Sequence, residues 1–398
     1  MAVNRLNVGA TNQLLAKAST GQSTNILELQ NTAGVTVAGV DASGNGVGGL
    51  AHPPTFKNLI INGAMQVAQR GTSVTGVTAG GYLTADRFNN QLSSLGTWTQ
   101  SVETDAPTGS GFRKSLKMLC TTADASPAAG DYNIIAQLFE GQNLQQVLKG
   151  TSSAKELTVS FWVKSNVTGT YIAELQDVDN TRQVSKSYTV SASATWEKKT
   201  LTFPADTTGA FDNDNALSFQ INFWLGAGTT YTSGTLQTSW GNTAANRAAG
   251  QTNVAAATNN YWQVTGVQLE VGSVATDYEF KPIDVELAQC QRYYYKFIEG
   301  NSIAIGVGMN NYATDAILFI SFPITMRNTP NLSASSGTNY YIAETGGSLD
   351  YFNSWIINRT STNGCFIYNA SEITGVIGRG ALIYTNNASA SIAFNAEL

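Results

Sequence analysis

From Phe56 onward the chain is punctuated: short apolar or alternating runs, each closed by a cluster of Gly, Asn, Asp or Pro. Clear runs are Phe56 to Ile61, Ser115 to Cys120, Leu157 to Lys164, Tyr171 to Leu175, Lys198 to Phe203, Leu217 to Trp224 and Tyr261 to Val271. Between them stand Asn62-Gly63, Asp105-Ala106-Pro107, Asn166 to Gly169, Asp177 to Asn180 and Asp212 to Asn215. This spacing predicts antiparallel strands in a sandwich or jelly roll. Composition agrees. Charged residues are only 12 %, and Thr, Ser, Asn, Ala and 38 Gly take their place. Ser, Thr and Asn compete with helix hydrogen bonds and Gly costs backbone entropy, so the mixture favours strands and tight turns.

One segment breaks the pattern. In Pro282 to Tyr295, Ile283, Leu287, Cys290 and Tyr294 form an apolar stripe at helical spacing, with Asp284 and Glu286 in the first turn. That predicts a short helix, since acidic residues suit the positive end of its dipole. Beyond it, Ile303 to Val307, Ala316 to Phe322, Tyr340 to Glu344, Cys365 to Tyr368, Ala381 to Tyr384 and Ser391 to Glu397 predict a second, smaller sandwich. At the other end, Asn25 to Asn31 and Val35 to Val40 alternate about the turn Ala33-Gly34, and Asp41 to Gly46 closes a two-stranded hairpin. Such a hairpin is marginal alone and needs another layer, which sister chains about a threefold axis would supply. The expected architecture is all-β: an amino-terminal attachment and trimerisation segment (residues 1–54) and a large jelly-roll-like domain (55–281). A linking helix (282–297) and a carboxy-terminal β-sandwich tip (298–398) complete it.

A net charge of −5 and a pI near 5.0 leave no basic stripe for nucleic acid. Low charge also implies that part of the surface is covered by sister chains. The three cysteines, Cys120, Cys290 and Cys365, leave one unpaired and fit neither a disulfide framework nor a zinc ribbon. No signal-peptide or membrane-spanning apolar run is seen, so a soluble protein made in the cytoplasm is expected.

The single histidine, His52, stands beside Pro53-Pro54 in a linker and is a poor catalytic base. Gly44 to Gly49 satisfies G-x-G-x-x-G but precedes a Pro-Pro break, so it reads as a turn. Glu174 with Asp177 and Asp179, or Asp212 with Asp214, would supply the carboxylate pair of a glycosidase. They read better as turn residues. No cofactor is expected, and calcium is the one metal these turns suit, through Asp177, Asp179, Asp212 and Asp214. Aromatic rings stack on the apolar faces of sugars. Trp162 and Trp224 lie inside strands and are expected in the core, and Trp196 and Trp262 are expected to pack inward. Trp98, Tyr231 and Trp240 lie in polar, Gly-flanked segments, and Tyr341, Tyr351 and Trp355 in the tip; these six are the candidate carbohydrate-binding residues.

Five segments in order carry a resemblance. Asn58 to Gly71 (NLIINGAMQVAQRG) resembles the opening of a β-domain found in tail fibres and other virion proteins of tailed bacteriophages. Trp262 to Gly272, with Ala275-Thr276 and Tyr278-Glu279, is similar to its closing strand, and Glu286 to Tyr294 to the helix that follows. Phe322 to Pro330 and the ending Ala393 to Leu398 resemble the tip of the same proteins, and residues 25–46 their amino-terminal repeat. The resemblance implies a carbohydrate-binding-module-like jelly roll, a homotrimer and host attachment through surface glycan. It implies attachment to other virion proteins through the amino-terminal segment, location in a tail or capsid fibre, and no catalytic residues. A head fibre or decoration protein without receptor role, and a glycan-depolymerising tailspike, stay open as alternatives.

Overall fold

The computed structural model describes residues 27–30, 36–40, 46–48 and 56–398, and contacts divide the chain into two units, Met1–Lys57 and Asn58–Leu398. The first contains β1 (Leu27–Gln30), β2 (Thr36–Val40) and β3 (Gly46–Gly48) as an antiparallel meander. Leu27 pairs with Val40 and Ala38 with Gly48. The expected two-stranded hairpin thus gains a third strand, because Gly46–Gly48 pairs with β2 instead of only closing the turn. The turn at Ala33-Gly34, His52 and Pro53-Pro54 lie outside the described residues.

The second unit is all-β apart from short helical segments. Its larger part is a sandwich built from β4 (Ser73–Val77), β5 (Gly81–Tyr82), β6 (Phe88–Ser93), β7 (Thr97–Glu103), β8 (Ser115–Thr122) and β9 (Tyr132–Glu140). It continues with β10 (Leu157–Ser165), β11 (Gly169–Asp177), β12 (Arg182–Val190), β13 (Glu197–Phe203), β14 (Leu217–Ala227) and β15 (Tyr261–Val271). One six-stranded sheet runs β13-β10-β15-β8-β7-β4, and the facing one β12-β11-β14-β9-β6-β5. The chain crosses between sheets repeatedly, so neither sheet forms without the other.

Alternation decides what faces inward. Leu157, Val159, Phe161 and Val163 of β10 meet Phe219, Ile221, Phe223 and Leu225 of β14 in one core. Aromatic rings pack edge to face at its centre, Phe161 lying 5.1 Å from Tyr188 and 5.0 Å from Phe223. Trp262 donates its indole N–H to Tyr188 Oη at 3.2 Å. Deleting such a side chain removes buried area and leaves a cavity, at about 3–5 kcal/mol.

Phe56 to Ile61 forms no regular strand, contrary to expectation. Its polar residues serve as clamps instead. Asn58 Oδ1 accepts from Ile60 N and Leu269 N, and Asn62 reaches Val67 N, Val67 O and Asp86 O. Gly63 lies so close to β15 that a Cβ would stand 2.1 Å from Val267 O. The Asn58 to Gly71 motif therefore locks the start of the domain to its last strand.

The helix α2 spans Ile283–Gln291, shorter than its apolar stripe, and Tyr294 opens a strand. Ile283 is exposed, whereas Glu286 is buried and accepts from Asn62 N. The helix is thus fixed by polar contacts with the opening motif as much as by Cys290.

Past the helix lie β16 (Tyr294–Glu299), β17 (Ala304–Met309), β18 (Ile317–Ser321), β19 (Asn331–Ala334) and β20 (Tyr341–Thr345). They are followed by β21 (Ser348–Phe352), β22 (Ile356–Asn358), β23 (Gly364–Tyr368), β24 (Gly380–Thr385) and β25 (Ser391–Asn395). A three-stranded sheet, β16-β25-β19, shares a second core with a seven-stranded sheet, β21-β20-β24-β17-β18-β23-β22. An arginine-rich junction ties this tip to the large sandwich. Arg292 donates twice to Glu140 (2.8 and 2.6 Å), Arg87 pairs with Glu397, and Arg327 donates to Asn215 O and Glu397 O. Burial raises the Glu140 carboxyl, but hydrogen bonds from Arg292 and Tyr293 outweigh that and hold it below its ordinary value.

Candidate functional site

The outer face of the β11–β14 sheet is covered by the chain itself. Residues 228–260 fold back through α1 (Thr229–Thr232) and place Arg247 over the strands. Arg247 donates to Glu174 at 2.7 and 2.9 Å and to Gln176 at 2.7 Å, while its guanidinium lies 5.2 Å from the Trp224 ring. Trp224 is buried, as expected, but beneath this cover and not in the sandwich core. Tyr231 packs against Trp224 and Tyr132 at 5.4 and 5.5 Å, so its stacking surface is partly taken by protein. Glu174 and Asp177 lie three residues apart on one strand, hence on opposite faces, and do not converge as a catalytic pair.

Asp177, Asp179 and Asp214, three of the acidic turn residues considered for calcium, are engaged by other protein groups. Asp177 is wholly buried against Lys149, whose ammonium lies 2.5 Å from Asp177 and 3.1 Å from Asp206. The same ammonium donates to Thr208 O and Gly209 O. A lysine thus engages Asp177, one of the four residues the sequence suggested for a metal, together with Asp206. Asp179 accepts from Asp212 N, and Asp214 accepts from Ala216 N, as ordinary turn residues do. Among the described residues no group of three His, Cys, Asp or Glu side chains is placed to hold a metal.

Three of the six aromatic candidates are corrected by burial. Trp98 is wholly enclosed, its indole donating to Leu95 O at 2.6 Å, because β7 turns it inward. Tyr341 is stacked on Phe352 inside the tip, and Trp355 closes the same cluster at 4.9 Å from Phe352. Neither presents a face to a ligand. Trp240 is half-buried, its indole donating to Pro204 O. Tyr351 is exposed, on the outer face of the seven-stranded sheet.

The aromatic surface that is open lies elsewhere. On β10, Ser160, Trp162 and Lys164 share the outward parity, while Phe161 and Val163 point inward. Trp162 is only partly exposed, as Trp240 is, but it is not enclosed in the core as expected. On the neighbouring β13, Lys198 stands opposite Trp162. Trp196, also expected inward, is partly exposed one position beyond the strand, its ring 6.0 Å from Lys164 Nζ. Glu197 pairs with Val163, so Trp196, the residue before it, lies beside the end of β10 that carries Lys164. Asp105 fixes Trp196 and Lys164: it accepts from Trp196 Nε1 at 3.1 Å and from Lys164 Nζ at 2.7 Å. Burial raises the Asp105 carboxyl, but these hydrogen bonds and the Lys164 charge outweigh that and hold it below its ordinary value.

Beside Trp162 the surface dips into a cleft of about 420 Å³ lined by Ser160, Lys198, Asp277, Tyr278 and Phe280, with Phe112 at its end. Its floor depends on a glycine. Gly266 bulges from β15 with φ +61°, and a Cβ there would lie 2.4 Å from the Phe112 ring. Phe112, Tyr278 and Phe280 make a mutual cluster with centroids 4.8 to 5.1 Å apart, and Phe280 is 56 % exposed. Parity along Phe161-Trp162-Val163-Lys164 is the sequence signal that finds this site, since Trp162 keeps step with Lys164.

No protein-family model matches the sequence, and no curated protein matches it. Among solved structures, the chain is similar to the enzymatically active domain of tailspike protein 4 of bacteriophage CBA120. That likeness has 13 % identity and a TM-score of 0.29, and covers 54 % of this chain and 21 % of the other, so this chain spans about a fifth of that protein. A CBM4 structure is similar at 14 % identity and a TM-score of 0.27, over 53 % of this chain and 97 % of that one. A family 11 carbohydrate-binding module from Clostridium thermocellum, in complex with a β-1,3-1,4-mixed-linked tetrasaccharide, is similar at 11 % identity. Its TM-score is 0.27, and the likeness covers 52 % of this chain and 98 % of that one.

Proposed function

We propose that this chain is a structural protein of a tailed-bacteriophage particle, a homotrimeric fibre or receptor-binding subunit that attaches to host-surface glycan. The five ordered sequence segments support the particle assignment, and the all-β sandwich agrees with it. The observation that carries glycan binding is the platform of Trp162 and Trp196 on the outer face of β10 and β13, opening into the Phe280 cleft. Partly exposed indoles offer flat apolar faces to sugar rings, and Ser160, Lys198 and Asp277 line the adjoining surface where they would orient hydroxyl groups. Contacts of this kind are individually weak, and three copies on one particle raise avidity by ~10²–10⁴.

Adhesion is favoured over depolymerisation because Glu174 is held by Arg247 and Asp177 by Lys149, which removes that pair from glycosidase chemistry. In this reading the amino-terminal segment joins the subunit to other virion proteins, and the protein is made in the host cytoplasm. Nucleic acid and membrane insertion have no part in it; no described helix is long and apolar enough to cross a membrane.

The test is glycan-array binding by the full chain and by Trp162→Ala, with adsorption competition on the host. Loss of at least tenfold in glycan binding, with unfolding temperature unchanged, is expected. Equal binding by the variant and the wild type would move the site elsewhere. Failure to bind any glycan or to compete with adsorption would favour a head fibre or decoration protein.

A further inference from the structure

Among the described residues, the seven-stranded sheet of the tip has two apolar faces and one cover. Its inner side belongs to the core shared with β16, β19 and β25. On the outer side Val307 of β17 stands opposite Leu382 of β24, 72 % and 54 % exposed. Phe319 of β18 pairs with Phe366 of β23, the rings 5.3 Å apart, and Leu349 and Tyr351 extend the surface onto β21. Across all seven strands the only charged side chain on this face is Glu344, since Asp350 pairs with Ala343 of the core.

The strands record this in their composition. Ile317-Leu318-Phe319-Ile320, Cys365-Phe366-Ile367-Tyr368 and Ala381-Leu382-Ile383-Tyr384 are unbroken apolar or aromatic runs. A sheet with one wet face alternates apolar with polar, whereas continuous runs belong to strands buried on both sides. Contiguous exposed apolar surface of this kind marks a contact.

We infer that this face is where copies of the chain meet in the oligomer proposed above. Strand spacing of ~4.8 Å and a five-residue length at ~3.4 Å per residue give a footprint of roughly 570 Å². Tyr312, Val376 and Ile377, exposed in the loops at one end of the sheet, enlarge it towards the ~800 Å² per partner of a standard interface. Almost uncharged and flat, the face matches the apolar interfaces of obligate homo-oligomers. Its seven strands bring no basic side chain to it, as an anionic partner would need. Burial of this face also accounts for a chain that manages with 12 % charged residues.

The inference rests on the oligomeric reading, and the experiment separates the two. Analytical ultracentrifugation of the full chain over a dilution series is compared with Val307→Glu/Leu382→Glu, both sites being exposed enough to leave the fold intact. Far-UV circular dichroism and the unfolding temperature check that the variant is folded. The wild type is expected to be oligomeric at micromolar concentration, and the variant's dissociation midpoint to rise at least ~100-fold. A variant that sediments like an oligomeric wild type overturns this face while leaving the oligomer standing. A monomeric wild type overturns both, and pelleting of that monomer with phosphatidylcholine vesicles would assign the face to lipid. Glycan binding through Trp162 is read separately, so its loss or retention leaves this result unaffected.

Discussion

The two sandwiches of the second unit solve the same problem in opposite ways. In the larger one, the β11–β14 sheet presents Ile172 and Trp224 on its outer face, and residues 228–260 fold over them. Arg247 seals that cover by pairing with Glu174, which is wholly buried. In the tip, the seven-stranded sheet presents a comparable apolar face with no such excursion, and Val307, Phe319 and Leu382 stay exposed. A sheet apolar on both sides needs two covers. The larger sandwich carries its second cover within the chain, whereas the tip leaves that place to another molecule.

Substitutions that probe each region should differ in size accordingly. Trp98→Ala in the enclosed core should cost about 4 kcal/mol, measured by urea denaturation, because nothing can collapse into the space left by the indole. A loss below about 1 kcal/mol would mean that the core is looser than its burial suggests. At the junction, Glu397→Ala should cost about 3 kcal/mol, since it leaves the buried Arg87 guanidinium uncompensated. If the tip unfolds separately, that loss should appear in one transition of a calorimetric scan and not in both.

Asp86 sharpens the comparison through pH. Burial raises its carboxyl from 3.8 to about 6, against hydrogen bonds from Gln69. The folded protein therefore binds this proton more tightly than the unfolded chain does, and stability falls as pH rises from about 4 to about 6. At one unit per 1.36 kcal/mol, the effect is up to about 3 kcal/mol. Asp86→Asn should flatten that slope in urea midpoints taken across the window, and an unchanged slope would assign it to another group. Glu140, held low by Arg292, contributes with the opposite sign, its stabilisation being lost as pH falls. The smallest effect belongs to the tip's outer face. Val307→Thr in a dissociated chain should change stability by less than about 0.5 kcal/mol, because the side chain is already 72 % exposed and the replacement keeps its β-branched shape.

Much of the fold was legible because strand pairing reads local patterns. Tyr261–Val271 was predicted with its observed bounds, and the Leu157, Lys198 and Leu217 runs needed only a residue or a few more. Strands such as Arg182–Val190 were missed because Gln, Ser, Lys and Thr dilute their alternation, and only the waiting edge of β11 makes them strands. The aromatic candidates show the limit more sharply. Trp98, in a polar and Gly-flanked setting, reads as exposed until β7 is seen to close the sandwich over it. Trp162 reads as core by its apolar neighbours, although its step with Lys164 already placed it on the outer side.

Sequence alone determined that this chain is all-β and where most turns fall. These are properties of periods of two residues and of turn chemistry, which short segments carry by themselves. The tertiary structure alone decided which indoles reach solvent, that a lysine engages Asp177 together with Asp206, and which apolar sheet face receives an internal cover. Those outcomes depend on residues far apart in the chain, brought together only when both sheets close.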